Sequence, residues 1–122
     1  MNLFERAPDG IQIAPAGVRE RAGHAGVELH EIELTSLHNK HGLMNAFASS
    51  LELGEDFGHN WDALYDVLAD PEVGHSRRAL LLTGLENFTE RCPELAEELT
   101  SVLLDAQVAL AEVHQSLWLL RD

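Results

Sequence analysis

The chain has 122 residues, enough for one domain with a single core and a short appendage. Apolar residues make up 45%, an ordinary globular share that argues against both disorder and a membrane span. Twenty-one acids against eight Lys plus Arg give a formal net charge of −13. That balance argues against a nucleic-acid binder, since phosphate contacts need clustered cations, and it favours attraction toward a basic protein.

Residues 1–26 carry Gly10, Gly17, Gly23, Gly26, Pro8 and Pro15 and little periodicity. An irregular extension is expected there, packed at most partly, with Ile11-Gln12-Ile13 as a short edge strand. No cationic start followed by an apolar run is present, so the cytoplasm is the expected location. Residues 27–34, VELHEIEL, alternate apolar and polar with a shift at Glu31, which predicts a strand containing a bulge. Thr35 or Ser36 is the expected cap of a helix reaching about Ser50, with Leu37, Leu43, Met44, Phe47 and Leu51 at helical spacing. Gly42 weakens its middle by roughly 1 kcal/mol relative to alanine, so the helix must rely on packing.

Residues 53–70, LGEDFGHNWDALYDVLAD, are the most informative stretch. Gly54 and Gly58 bracket a short acidic-aromatic loop and suggest a tight turn. Asn60 stands at the N-cap position of a helix whose Trp61, Leu64 and Leu68 share one stripe and are expected in the core. Asp62 and Asp66, four apart, share a neighbouring stripe that must face solvent or a partner. Pro71 ends the helix.

Residues 78–84 centre on the apolar run Ala79-Leu80-Leu81-Leu82, which suits a strand buried on both faces. Residues 85–91 form a short helix or turn. Cys92 is the single cysteine, which excludes an internal disulfide and suits a reducing compartment. Pro93 then opens a long helix to about Val113, with Leu95, Leu99, Val102, Leu103, Ala106 and Leu110 on its stripe. Residues 116–120, SLWLL, read as a last buried strand holding Trp118 in the core. The order β-α-α-β-α-β predicts a small α/β fold, a three-stranded parallel sheet with three main helices. Its domain is expected over residues 27–122.

Taken alone, Asp62 and Asp66 are compatible with a catalytic carboxylate pair, a metal site, a partner surface or a solvated face. Nothing in the sequence gives either acid a cleft or a raised pKa, and no EF-hand or histidine-carboxylate spacing completes a metal site. His38 and His41 lie three apart on one helix, yet no HExxH or paired Cys-His motif accompanies them. No phosphate-cradling loop occurs, so neither a cofactor nor an enzyme is expected. His59 lies inside the acidic loop, where its protonation would make binding sensitive to pH.

The run Gly58, Asn60, Asp62-Ala63-Leu64, Tyr65 and Asp66 resembles the loop and second helix of the barstar family, intracellular inhibitors of barnase-type ribonucleases. Agreement in the order and length of elements extends from about Val27 onward. The resemblance implies a monomeric inhibitor that plugs a basic ribonuclease cleft with carboxylates in place of RNA phosphates. Asp66 would take the phosphate position, Asp62 would meet the cleft a turn earlier, and Gly58 would allow close backbone approach. Tyr65 stands where the family has tryptophan. Asp56, beside Phe57, replaces a family tyrosine. On the last helix Asp105 places one expected acid, whereas the next falls at Ala109. The implied contact set is therefore Asp56, Phe57, Gly58, His59, Asn60, Asp62, Tyr65, Asp66 and Asp105. Its departures leave open a diverged nuclease, or a nuclease toxin for which the chain is the immunity protein. A module of the same fold that binds another basic protein is also left open.

Overall fold

In a computed structural model describing residues 2–122, strands and helices alternate along the chain. They are β1 (Ile11–Ile13), α1 (Val18–Ala25), β2 (Glu28–Glu33), α2 (Lys40–Ser50), α3 (Trp61–Ala69), β3 (Arg77–Thr83), α4 (Leu85–Arg91), α5 (Pro93–Glu112) and β4 (Ser116–Arg121). The four strands are all parallel, in spatial order β1-β4-β3-β2. Parallel neighbours need crossovers, and α2 with α3, then α4 with α5, supply them between β2, β3 and β4.

The middles of the central strands β3 and β4, Ala79–Leu82 and Leu117–Leu120, are apolar without a break because both sheet faces are covered there. Leu80, Leu82, Leu117 and Leu119 face a core built with Leu43, Phe47, Leu64 and Leu99 from the helices. Ala79, Leu81, Trp118 and Leu120 face the other way, beneath Phe4, Val18 and Ala22. Trp118 is 2% exposed, as its strand position predicts. Among the described residues no helix is long and apolar enough to cross a membrane.

Four expectations about the fold need correction. The sheet has four strands, because Ile11–Ile13 pairs with β4 in the register Ile11↔Leu119 to Ile13↔Arg121. Residues 2–26 are not irregular throughout either: besides β1 they hold α1, which lies between left-handed glycines, Gly17 at φ 69° and Gly26 at φ 71°. Arg77 fixes this layer by donating to the carbonyls of Ala25 and Phe4, both at 2.6 Å, with its guanidinium 5.3 Å from the Trp118 ring. β2 pairs with β3 without interruption from Glu28↔Arg78 to Glu33↔Thr83, so it contains no bulge. Its shifted alternation arises because Leu29 serves one sheet face and Ile32 the other.

α2 begins later than expected. Asn39 caps it, its side-chain oxygen accepting from the Gly42 N–H at 2.8 Å. The Thr35 N–H is already taken by the Glu33 carboxylate at 2.8 Å.

Candidate protein-binding site

The loop over residues 51–60 and α3 form one braced unit. Asn60 is the N-cap, its side-chain oxygen accepting from the Ala63 N–H at 2.8 Å while its amide donates to the Gly58 carbonyl at 3.1 Å. Leu64 and Leu68, 0% and 1% exposed, fix the inner face of the helix. At its far end the buried Arg78 donates to the Leu68 carbonyl at 3.0 Å, satisfying one of the orphan carbonyls of the last turn. Desolvation pushes the Arg78 pKa down, against the opposing charges of Glu28 and Asp70.

This clamping leaves the outer face to Asp62 and Asp66, both exposed. Among the described residues, neither takes part in the Arg19–Glu31 ion pair or in the His30–Glu28 contact. Asp62 also sits in the first turn, where the helix dipole favours a carboxylate. Tyr65 is half-buried on the flank of α3.

Before the helix, the Phe57 N–H donates to the Gly54 carbonyl at 3.1 Å, and the resulting turn holds Asp56 out in solvent. Asp56 and Asp66 thereby line one shallow depression of about 260 Å3, with Phe57, Gly58, Ala63 and Val67 among its walls. Asp105 is exposed on α5, which packs against α3.

Phe57 departs from its expected contact role. It is 8% exposed and belongs to the main core, so it anchors the loop from below. The glycines act differently too. Neither Gly54 nor Gly58 has positive φ; the left-handed residues here are Glu52 at φ 54° and His59 at φ 51°. Gly58 sits in a tight place: a Cβ there would lie 3.1 Å from the Asn60 amide and 3.2 Å from the Ala63 methyl, so the cap or the first turn of α3 would have to give by a few tenths of an ångström.

His59 is held in part by groups distant from it along the chain. Its Nδ1 lies 2.9 Å from the Phe57 carbonyl and its Nε2 3.0 Å from Oδ1 of Asn45, with the His41 ring stacked 6.3 Å away. A left-handed backbone costs a non-glycine residue roughly 1–2 kcal/mol, which these contacts offset. Asn45 and His41 come from α2, and only the fold brings them to the loop. Trp61, expected in the core, is half-buried: it packs against the main core from its edge and faces α5.

A parallel sheet carrying this acidic cap-and-helix surface defines a barstar-like α/β protein. The family described as Barstar (barnase inhibitor) matches residues 27–121, and the chain belongs to that family. No curated protein sequence matches it.

Proposed function

We propose that this protein inhibits a basic, barnase-type (guanyl-specific) ribonuclease by presenting carboxylates where the enzyme binds RNA phosphates. The observation that carries the reading is the placement of Asp56, Asp62 and Asp66. All three are exposed on a unit fixed by a cap and a core anchor, and Asp56 and Asp66 share one depression. Carboxylates pair with guanidinium groups in bidentate geometry, so a cleft built from arginines and lysine accepts them as it would phosphate. Asp66 occupies the phosphate position, and Asp62 meets the cleft one turn earlier. Gly58 and the exposed His59 and Asn60 bring the loop backbone close, Tyr65 adds aromatic contact at the flank, and Asp105 extends the acidic surface from α5. No catalytic step is asked of the chain, and it acts as a cytoplasmic monomer. The charge of −13 supports a protein partner over nucleic acid or membrane.

Asp56 favours a second reading. It adds a charge where the family offers tyrosine, which suits a cleft more basic than that of barnase. Such a cleft would belong to a nuclease toxin for which this chain is the immunity protein.

The test is titration of barnase-type ribonuclease activity with wild type and with Asp66→Ala. Wild type is expected to abolish activity at equimolar ratio, and Asp66→Ala to bind roughly thirtyfold more weakly or worse, as for truncation of a buried charge pair. The barnase–barstar pair is itself a reference system for such interfacial charge pairs, and the expectation is borrowed from it. Equal inhibition by both proteins would remove Asp66 from the proposed role.

A further inference from the structure

Beside the acidic crest of α3 lies a second concavity. The start of α3 and the first turns of α5 flank an open groove of about 510 Å3 lined by Trp61, Glu94, Glu97, Glu98, Ser101 and Val102. We propose that this groove is a second docking point for the nuclease, taking an arginine side chain from outside the partner's active-site cleft. The inference rests on the inhibitor reading above and extends its contact surface along α5.

The groove has the make-up such a side chain requires. Trp61 and Val102 are half-buried and offer an apolar wall, while Glu94, Glu97 and Glu98 stand exposed around it. An arginine lays its methylene stem on apolar surface, stacks its guanidinium on an indole face and donates to carboxylates. Carboxylates at the start of a helix are favoured by its dipole, which accounts for Glu94 in the first turn of α5. The dipole effect falls off beyond that turn and gives no reason for Glu98 beside a half-exposed tryptophan.

Among the described residues these acids have no cationic partner of their own chain. Arg91, the nearest cation in sequence, instead donates to the carbonyls of Leu34 at 3.0 Å and Leu37 at 2.9 Å.

Position supports the same conclusion. Trp61 directly precedes Asp62 and lies four residues before Tyr65 on the same flank of α3, so groove and crest form one continuous surface. Asp105 follows Ser101 by four residues on α5 and continues the stripe. A basic partner seated on Asp62 and Asp66 therefore has the groove within reach.

The test measures kon and koff of the complex with a barnase-type ribonuclease for wild type, Glu98→Gln, Trp61→Leu, Asp66→Ala and the control Glu20→Gln on α1. Glu98→Gln and Trp61→Leu are each expected to raise koff about threefold to tenfold, as loss of a partly desolvated cation contact does. Glu20→Gln should leave koff unchanged. If Glu98→Gln behaves like Glu20→Gln, altering only kon, its acid acts through net charge alone and the docking point is refuted. Trp61 contributes to packing, so its variant is read beside Glu98→Gln, which leaves the core untouched. Loss of binding in Asp66→Ala with wild-type koff in both groove variants sinks the groove and spares the inhibitor. Unchanged binding in Asp66→Ala, or no complex with wild type, overturns the inhibitor reading and the groove with it.

Discussion

Phe57 and Asp56 are adjacent in the loop and do opposite work. Phe57 is sunk in the core and Asp56 stands in solvent, so the first fixes where the second is displayed. Removing the anchor should cost about 3 kcal/mol, the scale for truncating a buried phenylalanine. Phe57→Ala is therefore expected to lower the urea midpoint clearly; an unchanged midpoint would show that the loop is not anchored through this ring. A second residue-scale effect concerns pH. Glu31 is held below the usual carboxylate range, first by its hydrogen bond from Arg19, and Glu33 is held low by hydrogen bonds from Thr35. A depressed folded-state pKa stabilises the fold above the unfolded value of about 4.3 and is lost as pH falls through the folded value. Unfolding midpoints should thus decline below about pH 4.3, and less so in a Glu31→Gln, Glu33→Gln double variant. Both sites are exposed, so the difference is small. Parallel declines would rule these two groups out.

At the level of elements, legibility followed locality. The cap at Asn60 and the buried positions Leu64 and Leu68 are set within one helix, and their spacing gave them away. β3 and β4 were legible because strands covered on both faces read as unbroken apolar runs. β1 was recognisable only as three residues; its partner Leu119 lies over a hundred positions away, and nothing local marks it as the fourth strand. α1, VRERAGHA, buries only Val18 and Ala22, too few for a helical stripe to stand out. The site shows the same division. Exposure of Asp62 and Asp66 followed from helical period, whereas the bracing of His59 by Asn45 depends on tertiary packing. Because Phe4, Val18 and Ala22 cover Trp118 and Leu81, deleting residues 1–26 should expose an apolar sheet face. The expected result is red-shifted Trp118 fluorescence and loss of a cooperative transition. A truncated chain unfolding at the wild-type midpoint would show that the remainder is self-sufficient.

For the molecule as a whole, the charge of −13 acts before any contact forms. Long-range attraction to a basic partner raises kon and is screened as the Debye length falls from about 30 Å at 0.01 M to about 3 Å at 1 M salt. Association should slow roughly tenfold or more across that range, with koff changing far less. A flat kon would mean that the acidic surface has no steering role. On the proposed function, steering brings the partner in and the carboxylate of Asp66 then stands in the place of an RNA phosphate. The most direct measurement is the affinity of the wild-type protein for a barnase-type ribonuclease with increasing guanosine mononucleotide in the cleft. Mutually exclusive binding is the expected outcome, with apparent affinity falling in proportion to nucleotide occupancy. A ternary complex in which nucleotide and protein bind together, each at full affinity, would contradict it.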